Sequence, residues 1–191
     1  MDKKFTWTVD VDGGDFGGRT NGTLGIRYGI PKILEVFKQH KIKGLFFIST
    51  ELLREHRTII KSIKEAGHEL GSHGHFHVVW KDKWRAEEDR VISNTLLSAI
   101  TGTTDNYYRA PKFSYLCNDT YSDSKNHLSL LKHMWFNQKI PKEPIFYLHP
   151  FDIIKDKFPP NLFCELWYSR PAGALQTLKL LLSFYPGDHR L

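Results

Sequence analysis

Apolar and polar positions change period repeatedly along the chain. Residues 5–11, FTWTVDV, are β-branched and aromatic and predict a strand. Residues 44–49, GLFFIS, are apolar throughout. A strand apolar on both faces belongs in a parallel sheet covered by helices. Between them, PKILEVFKQHK from Pro31 spaces Ile33, Leu34 and Phe37 as a helix does. RTIIKSIKEAG (57–67) predicts a second helix, ended by Gly67, and WRAEEDRVISNTLLSAITG (84–102) a third, closed by Gly102. HELGSH and YYRA are short strand patterns, the second stopped by Pro111. PIFYLHP (144–150) predicts another strand, and GALQTLKLLLSFY (173–185) a last helix.

This alternation of strand and helix predicts an α/β fold with a parallel sheet, open or barrel-like. No repeat, low-complexity tract or domain boundary interrupts it, so one domain over residues 1–191 is expected. In such folds active sites form at the C-terminal ends of the strands. Asp10 and Asp12 end the first strand pattern, and His73, His75 and His77 follow the third. Arg109 ends the fourth, and His149 the last. Four separate segments therefore bring titratable residues to one rim.

Composition narrows the function classes. The net charge is +6, but the cations are dispersed, with no basic stripe interleaved with aromatics. That argues against a nucleic-acid binder. Cys117 and Cys164 form no C-x-x-C pair, which argues against a zinc ribbon or thioredoxin-like site and fits two reduced thiols. The N-terminal residues MDKKFTWTVDVDGG hold no apolar run of signal-peptide type. No stretch reaches the roughly 20 apolar residues of a membrane helix. The expectation is a soluble, cytoplasmic protein.

The chemistry begins with TVDVDGG. Asp10 and Asp12 point the same way, about 7 Å apart along a strand. Two carboxylates on one rim need a cation or a proton to coexist. In GSHGHFH, His73 and His77 are four residues apart, which lets both imidazoles reach one ion if the segment turns helically. Two histidines and Asp12 would make a zinc set with one position open for water. His75 points elsewhere in that geometry and is expected to be structural or solvent-facing. Asp10, close by, can take a proton from an activated water. Arg109 can pair with Asp10 and keep it ionised. His149 can protonate a leaving amine. Together these residues describe metal-assisted hydrolysis, most simply of an amide.

In order along the chain, D-x-D, SHGHFH after GHELG, RAP and LHP resemble the motifs of the polysaccharide deacetylases, the NodB-homology or carbohydrate esterase family four group. The resemblance covers residues 5 to 111 and resumes near 144. It implies a distorted (β/α) barrel and a divalent metal, commonly zinc. It implies Asp10 as catalytic base, Asp12, His73 and His77 as metal ligands, Arg109 as the residue orienting the base, and His149 as the acid. The segment RYGIPKILEVFKQHKIKGLFFIS also resembles the stretch between the first two motifs in this family, including its deformylase branch acting on lipid-linked aminoarabinose. The sequence departs from the family between 111 and 144. That span is short for the usual two strands and helix, and offers one helix, SLLKHMWF (129–136). The family's Asp-Trp element has no clear match there, with Asp119 and Asp123 as stand-ins. The barrel is expected to be incomplete between those residues, and a homodimer could cover the exposed core.

The resemblance and the residues together predict a hydrolase removing an N-acyl, foremost acetyl, group from an amino sugar or glycan. One alternative is deformylation of a lipid-phosphate-linked amino sugar, or hydrolysis of a small amide. Arg19 and Arg27 would suit a phosphate-bearing substrate. Another is a glycan-binding pseudoenzyme that keeps its metal.

Overall fold

The computed structural model describes residues 6–13, 23–104, 107–113, 127–129, 145–154 and 174–184. Arg19, Cys117, Asp119, Asp123, Cys164 and residues 130–136 of the expected helix lie outside the described residues. The chain divides into two compact units.

The first unit takes β1 (Thr6–Val11) as far as Val9, α1 (Ile30–Gln39), β5 (His127–Ser129), β6 (Ile145–Leu148) and, last in the chain, a helix over Ala174–Phe184. β6 lies between β1 and β5 and is parallel to both, with Val9 opposite Leu148 and Ser129 opposite Tyr147. Ser129 therefore closes a strand instead of opening a helix. The stretch after residue 111 contributes a strand that its three-residue pattern did not announce. Trp7 stacks on Phe146 at 4.6 Å between ring centroids and meets the edge of Phe37 at 6.4 Å. Such rings, fully buried, contribute about 1.5–3 kcal/mol each. Before α1 the chain makes a π-helical turn, Gly25–Gly29, so helical structure begins earlier than Pro31. Gly29 is needed there: a Cβ would sit 2.0 Å from the Pro150 carbonyl oxygen.

The second unit holds Asp10–Asp12, β2 (Leu45–Ile48), α2 (Leu53–Glu65), β3 (Glu69–Ser72), α3 (Lys83–Thr101) and β4 (Tyr107–Tyr108). β2, β3 and β4 are parallel neighbours. All four residues of β2 are buried, as an uninterrupted apolar run requires. α2 starts earlier than its periodicity predicts and is kinked at His56. α3 matches its prediction closely. Asp82 caps its start by accepting from the Arg85 N–H at 2.9 Å, and left-handed Gly102 ends it. The closing helix of the first unit, Ala174–Phe184, is α4. Among the described residues, no helix is long and apolar enough to cross a membrane.

Strand ends in the second unit are joined in sequence. Ser49 N–H donates to Val11 O, His73 N–H to Ile48 O, and Arg109 N–H to Ser72 O, each at 2.9 Å. These three bonds set the C-terminal ends of the strands side by side. They place Asp10, Asp12, His73 and Arg109 on the rim where an α/β fold does its chemistry.

Candidate metal centre

Asp12, His73 and His77 each offer one ligand atom, and these atoms all lie within 4.8 Å of one another. His77 Nε2 is 3.5 Å from Asp12 Oδ2. Donors around a tetrahedral zinc at about 2.0–2.2 Å stand roughly 3.3–3.6 Å apart, so this pair already has the spacing of two ligands. The imidazole rings of His73 and His77 are 4.9 Å apart.

His73 has the form that such a ligand takes. Its Nδ1 lies 2.8 Å from the carbonyl oxygen of Arg109. A carbonyl only accepts, so Nδ1 carries the proton and Nε2 keeps its lone pair. Burial pushes the imidazole's pKa from an ordinary 6.5 down to about 4, against the opposing pull of Asp10. The ring is therefore neutral near pH 7, the form a metal needs. Two imidazoles and a carboxylate, mostly buried, suit zinc or a similar divalent ion.

The loop that carries the histidines is not helical. The predicted i, i+4 helical juxtaposition of His73 and His77 is replaced by a turn with two left-handed residues, Gly74 (φ 78) and His77 (φ 53). Such a loop cannot bond internally as a helix does, and its backbone finds partners outside. Thr50 N–H donates to Gly74 O and Glu51 N–H to His75 O, both at 3.0 Å. His75 Nδ1 is 3.0 Å from Thr50 Oγ1, which gives this histidine a structural role as expected. On the other side, His75 N–H donates to Asp89 Oδ2 at 2.9 Å. Phe76 stands exposed between the two histidines.

Beside the donor cluster, Arg109 Nη1 donates to Asp10 Oδ1 at 2.5 Å, and both side chains are almost wholly buried. The guanidinium also lies 4.1 Å from the centre of the Phe47 ring. The pair thus sits at the same strand ends as Asp12 and His73, with the Asp10 charge compensated inside the protein.

His149 belongs to the first unit, directly after β6. Its backbone N–H donates to Asp152 Oδ2 at 2.8 Å, and its Nδ1 is 3.5 Å from the same oxygen. Its ring stacks on Phe151 at 4.8 Å. The turn Pro150–Ile153 makes this possible by folding Asp152 back three residues. Asp152 was absent from the sequence-based set, although the His-x-x-Asp spacing in HPFD is a readable signal. Asp89 and Thr50 were absent as well. For Asp89 the signal was a polar residue in the buried stripe of α3.

A family model described as polysaccharide deacetylase matches residues 20–129, more than half of the chain. That span contains His73, His77 and Arg109 but not Asp10, Asp12 or His149. The peptidoglycan-N-acetylmuramic acid deacetylase of Bacillus subtilis is 30% identical over 83 residues, 42% of this chain and 32% of that protein. The peptidoglycan deacetylase of Helicobacter pylori is 29% identical over 128 residues, 58% of this chain and 43% of that protein. The chain thus spans less than half the length of these curated relatives. A solved peptidoglycan deacetylase of Bacillus subtilis superimposes with a TM-score of 0.61 at 14% identity, covering 96% of this chain and 85% of that one.

Proposed function

Since this chain belongs to the polysaccharide deacetylase family, we propose that it is a metal-dependent hydrolase removing an N-acyl group, acetyl foremost, from an amino sugar of a glycan. The names of the relatives point to peptidoglycan as the glycan to try first. The proposal assigns the activity to one catalytic domain over residues 1–191. The observation that carries it is the Asp12, His73 and His77 donor cluster beside the buried Asp10–Arg109 pair.

Asp12, His73 and His77 are the proposed ligands, with zinc the ion their donor types suit best. A divalent ion held there supplies Lewis acidity toward an acyl oxygen and toward water at neutral pH. The remaining steps fall to the chain's own groups. Asp10 accepts a proton from the water whose oxygen bonds to the acyl carbon. Arg109 fixes the orientation of that carboxylate and balances its charge. As the carbon–nitrogen bond breaks, His149 gives a proton to the amine nitrogen. The products are a carboxylate and a free amino sugar. The His149 assignment rests on its place after β6, whose Leu148 pairs with Val9, and on the carboxylate of Asp152 behind its ring.

The test is release of acetate from N-acetylated glycan by zinc-loaded protein, with peptidoglycan and N-acetylglucosamine oligomers as substrates. Acetate release that stops on chelation and returns with zinc is expected. A stoichiometric zinc protein that releases neither acetate nor formate from any N-acyl sugar would refute the reading.

A further inference from the structure

On the face it buries, α3 presents a polar pair, Asp89 and Ser93, in a stripe otherwise formed by Ala86, Leu97 and Ile100. One helical turn separates the two. Polar groups in such a place are costly unless they have partners. Ser93 Oγ is 2.6 Å from Ser72 Oγ, which in turn accepts the Gly74 N–H at 3.3 Å. Asp89 accepts the His75 N–H. Among the described residues no cation pairs with Asp89, although it is only 5% exposed. A buried carboxylate held by one backbone N–H is a poor source of stability. Its place is better explained by what it holds.

Gly74 shows how closely the carboxylate and the loop are fitted. A Cβ built there would lie 2.6 Å from Asp89 Oδ2. The carboxylate fills the space that a side chain at 74 would take. Around it, the loop is clamped from two directions. Thr50 and Glu51 hold the carbonyls of Gly74 and His75, and Asp89 holds the N–H of His75. His75 is the residue midway between His73 and His77.

We infer that Asp89 is a positioning residue for the metal loop: through the His75 N–H it fixes the turn that brings His73 and His77 onto one ion. The inference rests on reading Asp12, His73 and His77 as ligands. Asp89→Ala removes the acceptor. Zinc affinity, measured by competition with a chelator, should weaken, by up to the roughly 10–100-fold that losing a partner bonded directly to a ligand costs. The cobalt(II)-loaded variant, at saturating metal, should show an altered visible absorption spectrum. Asp89→Asn keeps a carbonyl acceptor at the same reach and should retain the wild-type spectrum and an affinity close to wild type. A role in packing alone would lower the melting temperature of Asp89→Ala and leave the cobalt spectrum unchanged. Wild-type zinc affinity and spectrum in Asp89→Ala overturn the inference, as does loss of metal in Asp89→Asn. If Asp89→Ala does not fold, Asp89→Glu replaces it, since it keeps the charge and displaces the acceptor by one methylene; the same loss is expected and wild-type behaviour again overturns the inference. Absence of zinc binding in the wild type sinks the metal reading and this inference together, whereas equal binding in wild type and variants sinks the inference alone.

Discussion

The carbonyl oxygen of Arg109 lies 2.8 Å from Nδ1 of His73, while the guanidinium of the same arginine grips Asp10. One residue therefore serves two proposed roles by two separate parts. Its main chain sets the tautomer of a ligand, and its side chain sets the direction of the base.

The two parts can be separated. Arg109→Lys keeps the carbonyl but replaces a planar fork with a point charge. Zinc stoichiometry should stay near wild type, and turnover should fall, by at most the roughly 10²–10⁴-fold that general-base catalysis supplies. Elemental analysis and acetate release measure the two effects side by side. Loss of metal with the guanidinium would contradict the division of roles.

Asp10→Asn tests the base directly. The variant should bind zinc and lose about 10²–10⁴-fold in turnover. Asn can still accept from Arg109, so the fold should survive. Normal turnover with bound zinc would show that Asp10 takes no proton.

Acidity should act on the metal-free protein through His73. Its folded pKa, about 4, lies below the ordinary 6.5. Protonation therefore favours the unfolded chain. The stability tied to the neutral ring is complete above about pH 6.5 and is lost as pH falls toward 4, a change on the order of a few kcal/mol. Thermal unfolding of chelator-treated wild type should show that decline. In His73→Asn the decline should be visibly smaller, and equal slopes in the two proteins would place its source elsewhere.

Gly29→Ala probes the first unit without touching a proposed site residue. The added carbon would lie 2.0 Å from the Pro150 carbonyl oxygen, so backbone must shift. A loss of about 1–3 kcal/mol is expected, the usual cost of forcing an extra methyl into a packed place. Urea unfolding measures it, and an unchanged midpoint would mean that the contact is easily relieved.

Much of this architecture was legible in the sequence because burial leaves a period. The apolar run of β2 and the helical spacing of Ile33 and Phe37 are direct imprints of what those residues pack against. The rim residues were legible for a similar reason, since strand ends are marked by where the apolar pattern stops. What escaped was the detail that tertiary contacts decide. His77 sits at φ 53, held in a loop whose shape comes from Thr50, Glu51 and Asp89, and no local signal in GHFH distinguishes that from a helical turn. β5 is three residues long, too short for any period, and is a strand because β6 lies beside it. Asp152 is hard to read from sequence because its meaning depends on the tight turn that folds it back to His149.

The Asp10–Arg109 ion pair joins residues 99 positions apart in the chain. On a ribosome adding roughly 5–20 residues per second, Asp10 is made about 5–20 s before its arginine. During that interval the aspartate lacks its native guanidinium partner, and the carbonyl that orients His73 does not yet exist. A nascent chain stopped before Arg109 would carry Asp12, His73 and His77 without the residue that fixes their surroundings. The proposed metal site thus waits on a late-made residue, and a ribosome-stalled chain lacking Arg109 should hold zinc more weakly than the released protein.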